Sequence, residues 1–435
     1  MFTNAATKCI LAAGLALTVF VPAASAKKVK PEQVLYDFCS KANCSDGEYP
    51  KSGLIMDSSG NLYGTTNSGG GNVNDAQCPA GCGEVFKLAP DGTETVLYNF
   101  CSQAECSDGA GPYAGLIMDG SGNFYGTTVL GGIYDCEHVW VSCGTVFRLA
   151  PDGTETTLYS FCPGQTCTDG FSPTGGVIMD GTGNLYGTTS AGDGSGCNGN
   201  GCGTVFKVAP DGTETTLYTF CSQANCSDVG QPYAGLYMDG SGNLYGTTST
   251  GGGANGGGTL FEVAPSGTMT VLYSFCSQAN CSDGSSSWAG LIADANGDLY
   301  GTTAEGGADR QGTVFMLAPN GTETVLHSFA GGSDGTTPFA GLLLDSAGNL
   351  YGTTYGGGST GCKDTGCGTA FKLAPDGSQT VLYAFKKYKY GLNPESSLIA
   401  DSHGNLYGTA QAGGLSKKGP LGVVFKVNVN AGTKR

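Results

Sequence analysis

Eighteen of the 19 cysteines fall into nine close pairs, and that spacing is the first chemistry the sequence offers. Five pairs are Cys39/Cys44, Cys101/Cys106, Cys162/Cys167, Cys221/Cys226 and Cys276/Cys281. Four more are Cys78/Cys82, Cys136/Cys143, Cys197/Cys202 and Cys362/Cys367. Thiolates at this density either hold a soft metal or close disulfides. A zinc site would want CxxC spacing or a histidine-rich partner segment, and the sequence has neither. Segments that lack one member of a pair lack both: no cysteine follows Phe329 or Phe385 at the corresponding place. Each pair is therefore expected to bond within itself. Closing so short a loop stabilises by roughly 2 kcal/mol in the chain-entropy picture.

Other residue types could carry recognition. Glu137, His138 and Trp140 sit between Cys136 and Cys143, and Trp140 could stack on a sugar or an aromatic group. Lys386, Lys387 and Lys389 alternate with Tyr388 and Tyr390, and Lys417 and Lys418 follow; this basic spot could hold an anionic glycan. Asp46, Asp108, Asp169, Asp228, Asp283 and Asp334 recur at one place in a repeated pattern. They read as Asx turns or as a ring of carboxylates able to take Ca²⁺. The three histidines, His138, His327 and His403, are scattered. No nucleophile elbow, phosphate-binding loop or HExxH is present, so a catalytic triad is not expected. Paired carboxylates remain a route to catalysis, because a closed repeat fold brings distant Asp and Glu together.

The elements that position these residues come from a repeat. Tyr-Gly-Thr recurs at Tyr63, Tyr125, Tyr186, Tyr245, Tyr300, Tyr351 and Tyr407. A second string places Phe86, Phe147, Phe206, Phe261, Phe315, Phe371 and Phe425 in step with it. Fixed-period self-similarity of this length marks a repeat architecture. In the first unit we expect strand a over 53–57, b over 62–66, c over 84–89 and d over 94–100. Pro90-Asp91-Gly92 supplies the c–d turn: Pro presets φ, Asp caps, and Gly accepts positive φ. The seventh unit ends with strand c at 423–427, while an orphan strand d opens the chain at 34–38. Together they make one blade, so the expected fold is all-β, a seven-bladed β-propeller closed by the N-terminal strand.

The string Asp-x-x-Gly-Asn-Leu-Tyr-Gly-Thr-Thr, then Gly-Gly, then Gly-Thr-Val-Phe-Lys-Leu-Ala-Pro-Asp-Gly-Thr resembles the GloVer tandem repeat of choice-of-anchor bacterial exported proteins. That resemblance implies export and a repeated β fold and carries over no catalytic residue. The strand pattern is also similar to NHL-type propellers in fold alone.

In an up-and-down blade the b–c and d–a loops leave on one face and the a–b and c–d turns on the other. All nine cysteine pairs are thus expected on one face, where variable loops on a rigid scaffold carry function. Lys8, the apolar run 9–21 and Ala24-Ser25-Ala26 read as a signal peptide over residues 1–26, leaving one domain over 27–435. The run is too short to span a bilayer comfortably. The formal charge of −16 argues against nucleic acid as a partner. The expected protein is secreted or periplasmic and binds a carbohydrate or another protein. A hydrolase or lyase at the channel mouth, or a structural envelope protein, are the alternatives.

Overall fold

The computed structural model describes residues 32–429 apart from 72–77, 79, 133–142, 164–166, 193–196, 198–200, 223–229, 253–254, 359–361, 363–365, 387–388, 390, 416–418 and 420. Seven four-stranded antiparallel sheets follow one another, each in the order a-b-c-d. In blade 1 these strands are Ile55–Met56, Leu62–Thr66, Glu84–Leu88 and Glu94–Asn99. In blade 7 the strand Glu32–Asp37 pairs antiparallel with Val423–Val427, so the first strand completes the last sheet. A seven-bladed β-propeller closed in this way is what the split repeat predicts.

Strand a is shorter than expected, two residues in every blade. The reason is that the backbone just before it serves the neighbouring blade. Thr65 Oγ1 donates to the carbonyl of Ala114, Thr127 to Gly175, Thr188 to Ala234 and Thr247 to Ala289. Thr302 and Thr353 continue the series, and Thr409 donates to Ser52 at 2.8 Å, which closes the ring. The first Thr of each Tyr-Gly-Thr string is therefore an inter-blade fastener.

The core repeats with equal regularity. Phe100, at the end of strand d in blade 1, meets Phe147 of strand c in blade 2 edge to face at 5.0 Å. The pairs Phe161/Phe206, Phe220/Phe261, Phe275/Phe315, Phe329/Phe371 and Phe385/Phe425 have the same geometry, and Phe38/Phe86 completes the circle. Edge-to-face pairing of buried rings adds to the area they bury. The Gly of Tyr-Gly-Thr is the seat of this Phe: a Cβ on Gly187 would lie 2.6 Å from Phe206 Cζ. Gly187→Ala should therefore overpack a full core and cost about 1–3 kcal/mol, read as a lower urea midpoint at unchanged slope.

The two faces are sorted as expected. The d–a loops bridge the b–c loops at Glu48↔Ser68, Ala110↔Leu130, Phe171↔Ala191, Ser285↔Glu305, Thr336↔Gly356 and Leu392↔Ala412. On the far side, the a–b turn glycines Gly60 and Gly122 face the c–d turn prolines Pro90 and Pro151. Seven disulfides are formed as paired in the sequence: Cys39–Cys44, Cys78–Cys82, Cys101–Cys106, Cys162–Cys167, Cys197–Cys202, Cys276–Cys281 and Cys362–Cys367. Cys143 and Cys221 are also disulfide-bonded, and Cys136 and Cys226 lie outside the described residues.

Candidate functional site at the axial mouth

Where each strand a begins, the chain makes the same approach to the propeller axis. The residue before the turn takes a left-handed backbone in all seven blades: Tyr49, Gly111, Ser172, Gln231, Ser286, Thr337 and Asn393 have φ between 54° and 62°. Six of the seven are not glycine, and such strain persists only where the surroundings fix it. Two residues later one side chain is delivered to the mouth of the channel on the disulfide face. Below it the innermost strands touch backbone to backbone: a Cβ on Gly235 would stand 3.1 Å from the Gly176 carbonyl, and one on Gly341 3.3 Å from that of Gly290.

This delivered position is where the repeat stops repeating. It reads Lys51, Tyr113, Thr174, Tyr233, Trp288, Phe339 and Glu395 around the ring. Tyr233 and Trp288 stack at 4.3 Å and 17°, Trp288 meets Phe339 edge on at 5.8 Å, and Phe339 meets Tyr355 at 5.5 Å. Trp288 and Tyr113 are each 37% exposed. Gln411 Nε2 donates to Glu395 Oε1 at 2.8 Å and to Tyr355 Oη at 3.5 Å. The Lys51 ammonium lies 4.6 Å above the ring of Tyr113. An aromatic arc thus faces a polar arc across one basin.

Burial shapes the electrostatics of this basin. It raises the Glu395 carboxyl, with Lys51 opposing it. Burial, then Glu395, Tyr233 and Tyr355, pushes the Tyr113 hydroxyl up to about 12. Tyr113 is therefore a neutral hydrogen-bonding phenol at physiological pH, not a ready base. Thr174 Oγ1 is buried without a hydrogen-bond partner. The basin can stack a flat apolar ligand face and hydrogen-bond its edge.

The described residues of the basin include none of those singled out in the sequence. Glu137, His138, Trp140, Lys387, Tyr388, Tyr390, Lys417, Lys418 and Asp228 fall outside the described residues. Lys386 and Lys389 are exposed on the segment entering blade 7. The recurring aspartates stand beside strand d, not at the channel. Asp46 accepts from Tyr36 Oη, the Ser40 amide and hydroxyl and the Lys41 amide. Asp108 and Asp283 repeat the pattern with Tyr98 and Tyr273, and Asp169 accepts from Tyr159. His327 takes the tyrosine's place opposite Asp334 at 3.2 Å. His403 is exposed on the opposite face beside Asp401. In two close groups, Cys82/Cys101/Cys106 and Cys39/Cys44/Glu48, every sulfur is tied in a disulfide and is not a thiolate ligand. The mouth residues were missed because each looks ordinary alone. The available signal was one variable position inside an otherwise constant segment, occupied by the second Trp.

Fold and mouth together define a propeller repeat protein with one asymmetric axial basin on a symmetric frame. The chain belongs to the Gloeobacter/Verrucomicrobia repeat family, whose model matches residues 18–197, 76–280 and 277–435. No curated protein matches it. Among solved structures it is similar to the extracellular domain of a one-component system from B. thetaiotaomicron, at 11% identity and a TM-score of 0.50. That match covers 92% of this chain, which spans 40% of the other's length. A protein described as a 6-phosphogluconolactonase from Bacteroides uniformis matches at 16% identity and a TM-score of 0.42, covering 76% and 83% of the two chains. A gluconolactonase from Xanthomonas campestris matches at 13% and 0.37, covering 65% and 78%. At these identities the likeness is one of fold.

Proposed function

We infer that the protein is an exported, non-catalytic binding module that takes a carbohydrate at the axial mouth. The observation that carries this reading is the break in symmetry. Seven near-identical blades present six different side chain types at one position, and the neighbouring rings of Tyr233, Trp288, Phe339 and Tyr355 form a continuous, partly exposed surface. Rigid aromatic faces beside a few fixed polar groups suit the apolar face and hydroxyl edge of a sugar. Glu395 is the one carboxylate of the delivered ring, whereas glycoside hydrolysis commonly uses a pair. The disulfides fit an oxidising, extracytoplasmic compartment. Among the described residues no helix is long and apolar enough to cross a membrane.

A glycan array of the oxidised protein, followed by calorimetry on the best ligand, tests the reading. Saturable binding is expected, with Trp288→Ala weakening it about 30-fold or more, the effect of losing a buried aromatic anchor. Trp140→Ala should leave it within a factor of two or so by comparison, as for a contact outside the anchor. Binding unaffected by Trp288→Ala, or no binding to any glycan, would sink the proposal.

A further inference from the structure

Blade 1 differs from the others at one buried cross-strand pair. In blades 2 to 6 the last Thr of strand b bonds the first Thr of strand c: Thr128/Thr145, Thr189/Thr204, Thr248/Thr259, Thr303/Thr313 and Thr354/Thr369, all at 2.8 to 2.9 Å. In blade 7 the pair is apolar, Ala410 and Val423. In blade 1 alone Thr66 stands opposite a carboxylate, Glu84. Glu84 has no exposed surface, and neither of its oxygens has a hydrogen-bond partner.

Its surroundings are rich in oxygen. Glu84 is paired across the sheet with Thr66 on one side and Asn99 on the other. The d–a loop closes over it, since a Cβ on Gly47 would stand 2.8 Å from Glu84 Oε1. One on Gly70 would stand 2.7 Å from Asn99 Oδ1 and 3.6 Å from Glu84 Oε2. Glu94 is buried beside it with Oε1 unpartnered, and Asp46 is buried next to both. The ammonium that reaches this group, Lys41, is bound to Glu94 Oε2 at 2.5 Å. Three carboxylates thus share one cation. An uncompensated buried carboxylate is among the costliest features a fold can carry.

The geometry points to a bound Ca²⁺ at Glu84, held by its carboxylate with Thr66 Oγ1 and Asn99 Oδ1 as the neighbouring oxygen donors. The donors are all hard oxygens, and the nearby sulfurs of Cys39 and Cys44 are tied in a disulfide. A mixed and irregular donor set suits Ca²⁺ better than Mg²⁺, which demands near-ideal octahedral geometry. Asp46 is not a ligand, because its oxygens are taken by the Tyr36, Ser40 and Lys41 donors. This site lies in the wall of blade 1 and is independent of the sugar-binding mouth.

The test uses the full oxidised chain, stripped with EDTA and dialysed against CaCl2 at pH 7.5 and fixed ionic strength. Metal content and thermal midpoint are read together. One tightly held Ca²⁺ per chain is expected, with a midpoint rise of about 3 °C at a hundredfold excess over Kd. Glu84→Thr installs the residue that five other blades carry, so the blade should fold, and it should lose both the ion and the shift. No stoichiometric Ca²⁺ in the native chain would overturn the inference. So would equal binding by Glu84→Thr, which places the ion elsewhere.

Discussion

Deleting residues 1–37 is expected to abolish the monomeric fold, whereas deleting residues 1–31 is expected to leave it intact. The strand Glu32–Asp37 is the outer strand of blade 7, and its register with Val423–Val427 runs from Glu32↔Val427 to Asp37↔Val423. Without it Val423–Val427 becomes a bare edge of mostly buried apolar residues, the kind of edge that recruits other chains. The loss also removes Val34, Leu35 and Tyr36, which pack against buried residues of blades 7 and 1. It frees the chain that holds Phe38 against Phe86, the seventh edge-to-face pair. At about 1.5–3 kcal/mol for each large side chain withdrawn from the interior, the damage is about 6 kcal/mol or more. That is comparable to the whole stability of an ordinary domain. Size-exclusion chromatography and near-ultraviolet circular dichroism should report aggregation and loss of fixed packing. Adding a peptide of residues 31–40 in excess should restore the monomer. A well-packed monomer without those residues would mean the ring does not depend on this strand.

The frame was legible because its determinants are local and repeated. Pro-Asp-Gly turns, the Tyr-Gly-Thr strings and the divided last unit fix blade count, strand order and closure without any long-range information. The length of strand a was not legible. Carbonyls such as those of Ala114 and Ala234 are spent on the neighbouring blade's threonines, and that pairing exists only after closure. The site was less legible still. Rarity drew attention to Trp140 and to the lysine run, yet what collects the mouth is the register of one residue per blade at the axis. Glu395 of blade 7 comes to act on Lys51 of blade 1 and Tyr113 of blade 2 only when blades 7 and 1 meet. The aspartate series shows the converse: Asp46 and its equivalents repeat because they cap a loop against strand d, with Tyr36 or His327 as the matching donor or partner. Repetition marked the structural residues, and departure from it marked the candidates for function.

Stability should fall as pH rises from about 5 to about 8, which is unusual for so acidic a protein, and three half-buried glutamates should supply a separable share of the fall. Glu155, Glu214 and Glu323 open strand d in blades 2, 3 and 5. Burial raises each carboxyl to about 7, and Asp108, Asp169 and Asp283 respectively push in the same direction. A carboxyl whose pKa is higher in the folded state binds more protons there than in the unfolded chain. Its contribution is complete below the unfolded value near 4.5 and is lost as pH climbs through about 7. These groups are only about half withdrawn from solvent, so screening reduces each to on the order of 1 kcal/mol, or about 3 kcal/mol together. The opposite slope should appear in acid. Despite burial, which would raise them, Asp57, Asp119 and Asp345 in the a–b turns are held low by asparagine and tyrosine side chains and turn amides. Their contribution is present above the usual aspartate range and disappears as pH falls below it. A stability maximum near pH 4.5 to 5 follows from the two slopes. Urea unfolding in EDTA across pH 4 to 8.5 measures it. The triple variant Glu155→Gln, Glu214→Gln, Glu323→Gln keeps shape and hydrogen bonding without the charge. It should reduce the slope above pH 5 and gain about 2–3 kcal/mol at pH 8. A native profile that is flat or rising over that range would show that these carboxyls ionise freely in the folded protein.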